Sequence, residues 1–176
     1  GIKGFLVIGA VLSGIGLRAW ILLSSQGTLD SDEAVWGLMA RHFQHGELST
    51  FYWSQSYGGT LESLLTVPIF WIFGASVSTL RVVPVVLWTA AAVLVWLIGR
   101  RLVGSTRGLV AGLLFWTWSP YFIWKSTRAH GFYGSGLVLS LAAVWLAVRL
   151  ADRYLPGDEK PGTVDANSRA LSEPQR

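Results

Sequence analysis

Apolar residues come in blocks along this chain, and short polar stretches between the blocks carry nearly all of the charge. Phe5 to Ser24 is apolar apart from Arg18 and is long enough to cross a bilayer, which predicts a first transmembrane helix. Arg81 to Ile98 forms a second such run, with Pro84 in its first turn where a missing N–H does little harm. Leu109 to Trp124 and Gly134 to Leu150 complete four expected spans, with Pro120 kinking the third near its outer end. Leu61 to Phe73 is also apolar but contains Pro68 and is too short to cross, so it is expected to re-enter or pack against the bundle.

Between the first span and that short segment the pattern changes to the helical period. Asp30 to Gly46 reads DSDEAVWGLMARHFQHG, with Val35, Trp36, Met39 and Phe43 on one stripe at 100° per residue. About four turns long, it is expected to lie on the membrane surface as an amphipathic helix ended by Gly46. Asp30 and Glu33 have the spacing of a capping box. Asp32 falls on the apolar stripe, whereas Glu33 turns toward Ala40 and Gln44. A carboxylate heading an apolar stripe is partly desolvated and needs a cation, a donor or a reaction to justify it, which marks Asp32 as a candidate functional residue.

Composition agrees with the pattern. The chain of 176 residues is 52% hydrophobic and 14% charged, with 10 Trp, and its mean hydropathy is +0.47. A soluble domain is excluded, and the expected class is all-α, a polytopic membrane helix bundle over residues 1–155. From Pro156 to Arg176 the chain is polar and poor in apolar residues, so a disordered tail is expected. The absence of Cys excludes disulfides and thiolate metal sites. The formal net charge of +4 reports topology and does not point to a nucleic-acid partner, because the cations sit in short connections between apolar runs. Lys3, the GRRLVGSTRG connection and the tail are expected on the cytoplasmic side; the acidic loop and the KSTRAHGFYG loop are expected outside.

On that outer face Asp32, Arg18, Arg81, Lys125, Arg128 and His130 could converge. Arg18 lies within a span, so it either snorkels outward or pairs with Asp30, Asp32 or a bound phosphate. The next stretch, ELSTFYWSQSYGGTLESLL, suits a sugar-binding surface, with Gln55, Tyr57 and Glu62 as its informative polar groups. Cations that neutralise a departing phosphate, together with a carboxylate that deprotonates an attacking hydroxyl, suit transfer from a lipid phosphate. The dispersed His residues give a metal little support, no cofactor is expected, and no phosphate-binding loop or serine-nucleophile motif occurs.

An N-terminal span, an Asp-Glu pair opening a surface helix in SDEAVWGLMARHFQHG, and the aromatic loop YWSQSYGGTLESLL together resemble the GT-C membrane glycosyltransferases. The resemblance covers roughly Phe5 to Leu150 and is nearest to the polyprenyl-phosphate-sugar-dependent group that includes protein O-mannosyltransferases and the aminoarabinose transferase of lipid A. It implies that Asp32, with Glu33 beside it, acts as or orients the catalytic base. It also implies a polyprenyl-phosphate-linked sugar as donor, an extracytoplasmic acceptor and the bacterial plasma membrane as location. Family enzymes have more spans, so the chain is expected to be an N-terminal portion. Where they carry Lys-Pro-Pro after the surface helix this chain has SYGGTLE, and where they carry Asp after the Arg that opens the fourth span it has Arg128, Ala129, His130. The alternative reading is a noncatalytic relative, or an assembly partner that binds lipid-linked sugar without turnover.

Overall fold

The computed structural model describes residues 2–24, 28–117 and 119–154 of the chain. The tail from residue 156, with the disorder expected of it, lies outside the described residues. Among the described residues eight helices follow in order: α1 (Ile2–Ser24), α2 (Ser31–Gln44), α3 (Leu61–Phe73), α4 (Val77–Leu80), α5 (Val82–Leu102), α6 (Ser105–Thr117), α7 (Pro120–Lys125) and α8 (Tyr133–Tyr154). No strand forms among the described residues; an isolated bridge pairs Phe51 with Gly59 in the loop between α2 and α3.

Among the described residues three segments are long and apolar enough to cross a membrane: Gly4–Ser24, Val77–Leu102 and Tyr133–Tyr154. The third of the four expected spans is not a continuous helix. α6 ends at Thr117, Ser119 takes φ 61 and ψ 116, and α7 starts with Pro120 at its head. The cause is local: a proline ring drives the residue before it out of the helical region and cannot supply the N–H that would bond back across the break. The α6–α7 pair nonetheless returns the chain from the C-terminal end of α5 to the N-terminal end of α8.

Where helices meet closely, glycine makes room. A Cβ on Gly108 would lie 2.2 Å from the backbone nitrogen of Arg100, and one on Gly112 would lie 2.7 Å from Cβ of Trp96. The α5–α6 hairpin, turned through Gly104 at φ +92, thus packs backbone on backbone. Small residues at such contacts are the membrane substitute for hydrophobic association, because lipid tails are as apolar as the side chains they would replace. Gly14 on α1 similarly admits the Trp116 ring of α6.

α2 packs across α3 through Trp36, Met39, Ala40 and Phe43, which join Tyr52, Val67, Phe70, Leu80, Val83, Leu87 and Ala129 in the core. The Trp36 indole N–H donates to Thr66 Oγ1 at 2.9 Å, so the largest buried ring leaves no polar atom unpaired. This core lies at one end of the long helices. At the opposite end Arg101 of α5 pairs with Asp152 of α8, beside Arg100, Arg107, Arg149 and Arg153. The GRRLVGSTRG connection and the last described turn of α8 thus lie at one end of the molecule.

Candidate functional site

Asp30 caps α2, its side chain accepting from Glu33 N–H at 2.8 Å. The other half of the expected capping box does not form, because the Glu33 carboxylate is taken elsewhere. It is 0% exposed. Arg81 Nε donates to Oε1 at 2.9 Å and its NH2 to Oε2 at 2.7 Å. Arg128 NH1 donates to Oε2 at 3.1 Å and the Ala129 N–H to Oε1 at 3.2 Å. Both arginines also donate to the carbonyl of Thr28, at 2.6 and 3.0 Å. Burial alone would raise the pKa of Glu33, but hydrogen bonds from Arg81 and Ala129, the Arg81 charge and Arg128 together hold it below its ordinary value. Glu33 therefore stays ionised and acts as a bolt between α2, the head of α5 and the loop before α8.

The expectation that Asp32 heads the buried face is corrected: Glu33 is enclosed and Asp32 is exposed. Ala40 is fully buried, so the buried arc of α2 is wider than the large residues suggested and includes the side that Glu33 shares with Ala40. At the first turn the neighbours are Arg81 and the 128–129 loop, which approach from that side.

Asp32 opens instead onto a small cleft of about 60 Å³, lined also by Tyr52, Gln55, Tyr57, His130, Gly131, Phe132 and Tyr133. Among the described residues its carboxylate has no salt-bridge partner. The cleft is built by two loops that hold each other. Tyr57 meets Phe132 edge to face at 6.3 Å, and Tyr52 N–H bonds to the carbonyl of Gly58 at 3.1 Å. Gly58 sits at φ +95 with Phe132 against it, so a side chain there would be both strained and obstructed. The Tyr52 hydroxyl donates to the Asp32 carbonyl at 2.7 Å. Burial and the nearby carboxylates of Asp32 and Asp30 push Tyr52 up to about 12, which keeps it a neutral donor.

His130 has its pKa lowered, first by burial and then by Lys125, and its Nε2 is buried without a hydrogen-bond partner. The Lys125 ammonium lies 5.8 Å from the Tyr133 ring at the edge of the cleft. The geometry thus gathers a free carboxylate, a neutral imidazole, an amide, three phenols and a nearby cation around room for a few waters or one hydroxyl-bearing arm of a ligand. Among the described residues no three His, Asp or Glu side chains group as metal ligands.

The remaining expected site residues lie away from this cleft. Arg18 neither snorkels nor meets an acid: it is 4% exposed, donates to Gly14 O at 2.9 Å, Trp116 O at 3.1 Å and Ser126 Oγ at 2.9 Å, and stacks 3.6 Å from the Trp116 ring. It bolts α1 to the α6–α7 break. Arg128 is engaged by Glu33. Glu62 is 2% exposed rather than accessible, and its Oε1 accepts from Ser135 N–H at 2.7 Å at the head of α8. Burial raises its pKa to about 7 against the opposing bonds from Ser135 and Gly134. Sequence reasoning did not assign Arg81, Ala129 or Ser135 these roles; the one local signal was a charged Arg81 at the mouth of an apolar span. Comparison of the chain with protein-family models, with curated proteins and with solved structures finds no match in any of the three.

Proposed function

We propose that this chain is an integral membrane glycosyltransferase module, or the N-terminal part of one, in which Asp32 is the base. The observation that carries the reading is the split fate of two adjacent carboxylates: Glu33 is saturated by two arginines and an N–H, while Asp32 lines a polar cleft with no cation on it. Neighbouring carboxyls with contrasting surroundings divide structural work from proton transfer. The resemblance of the Asp-Glu segment and the aromatic loop to GT-C enzymes supplies the reaction class.

In that reaction an acceptor hydroxyl loses its proton to Asp32 as its oxygen attacks the anomeric carbon. The bond from that carbon to the phosphate oxygen breaks, and the polyprenyl phosphate departs with the electron pair. Gln55, Tyr57 and His130 offer hydrogen-bonding groups to the sugar or acceptor, and Lys125 offers charge beside the departing phosphate. α1, α4–α5, the interrupted α6–α7 pair and α8 make four crossings, with α2 on the outer surface. The cleft end faces out of a bacterial cell, because the arginine-rich end is held in the cytoplasm.

The test is to incubate membranes containing the protein with radiolabelled polyprenyl-phosphate sugars and to follow label into acceptor. Asp32→Asn is expected to lower transfer by about 10²-fold or more while the protein accumulates normally. Wild-type rates from that variant would remove the base. Saturable donor binding without any transfer by the parent protein would replace the enzyme with a noncatalytic binding partner.

A further inference from the structure

The arginine end of the molecule contains a second concavity, remote from the cleft. Arg101 of α5 and Leu146, Arg149, Leu150, Asp152 and Arg153 of α8 line a cavity of about 470 Å³. Its charge is unbalanced. Asp152 is the one acid at this end among the described residues, and it is paired with Arg101, which leaves Arg149 and Arg153, one helical turn apart on α8, facing the same space. Arg149 is steadied by the Trp145 ring, 4.9 Å from its guanidinium carbon, which limits its freedom to turn away. Two cations on adjacent turns repel one another, and a phosphate between them would relieve this while accepting hydrogen bonds from both forks.

The other wall is apolar. Leu146 and Leu150 are each 51% exposed, and they lead from the arginines back along α8 toward the middle of a segment long and apolar enough to cross a membrane. Cations at the end of a span with leucines leading inward match a lipid headgroup above its own chain, and basic pockets between transmembrane helices are suited to anionic heads. A free anion would gain nothing from the leucines. We propose that the cavity between the C-terminal ends of α5 and α8 binds an anionic phospholipid, its phosphate held by Arg149 and Arg153 and an acyl chain lying on Leu146 and Leu150. This site stands apart from the Asp32 cleft, so it survives or fails independently of the transferase reading.

The test is native mass spectrometry of the full chain in detergent, titrated with phosphatidylglycerol, with phosphatidylcholine and with inorganic phosphate. The parent protein is expected to retain phosphatidylglycerol about tenfold or more over phosphatidylcholine. An R149Q/R153Q variant is expected to lose that preference to within about twofold with unchanged helical circular dichroism. An R100Q/R107Q variant removes the same charge outside the cavity and is expected to keep the preference. Equal retention of both lipids by the parent, displacement of the lipid by millimolar phosphate, or equal losses in the two double variants would each overturn the proposal. The last result would also reduce the effect to net charge, and the first two outcomes are read on the parent protein even if a variant folds poorly.

Discussion

The two ends of the bundle use the same residue types in opposite ways. Around α2 and the cleft, Asp30, Asp32, Glu33, Glu47 and Glu62 stand against Arg18, Arg41, Arg81, Lys125 and Arg128, and the best-buried members of both sets are hydrogen-bonded. At the far end five arginines face Asp152 alone among the described residues, and their one ion pair is half exposed, at 35% and 55% for its two side chains. Arginine in the first setting is a structural fastener whose charge is spent inside the protein. In the second it is turned outward to whatever lies beyond. Burial and partnering, more than residue identity, decide which role an ionised group takes.

The sharpest way to break this contrast is Glu33→Gln, which removes the buried negative charge that faces Arg81 and Arg128. It is expected to cost about 3–5 kcal/mol, measured as a fall in the thermal or denaturant midpoint of the protein in detergent. A change under about 1 kcal/mol would show the cluster to be solvated, like the far end.

Next in size is the response to pH. Glu62 has a folded pKa raised to about 7, so the folded state holds its proton where the unfolded chain releases it. Its contribution is therefore fully present below the unfolded value and is lost as pH rises toward 7 and beyond. The fall across that window is expected to be up to about 3 kcal/mol, and Glu62→Gln, which keeps an acceptor for Ser135 N–H, flattens it. A parent protein with equal stability at pH 5 and pH 8 would contradict the assignment. Smallest of all is Asp152→Asn at the far end, expected to change stability by less than about 1 kcal/mol and to do so less at high salt. A loss as large as that from Glu33→Gln would erase the distinction between the ends.

Much of the scaffold could be read from the chain itself because its causes are local. Asp30 at the head of α2, Gly46 at φ +83 just past its end, and Pro84 within the first turn of α5 all act within a few residues of where they stand. The interruption between α6 and α7 was half legible: Pro120 announced a disturbance, but whether a proline bends a helix or ends it depends on what holds the freed groups. Here Arg18, bound to the carbonyl of Trp116, holds one side of the break. Part of the cleft was legible, since four candidates named separately, Asp32, Gln55, Tyr57 and His130, line one space, whereas Arg18, Glu62 and Arg128 do not. Its neighbours were not. Glu33 finds Arg81 48 residues away and Arg128 95 away, and helical periodicity cannot say which side a distant partner will come from. The same limit hid Glu62, whose partner at the head of α8 is 73 residues on.

The triad of Glu33, Arg81 and Arg128 also constrains the order in which the molecule is put together. Glu33 is fully enclosed with both guanidinium groups beside it, and Arg128 comes in the chain only after α5, α6 and α7. Until then α2 has its partners on α3, but lacks those that come later in the chain, Leu80, Val83, Leu87 and Ala129. The Glu33 cluster is thus complete, and the Asp32 cleft enclosed, only with the 128–133 loop in position.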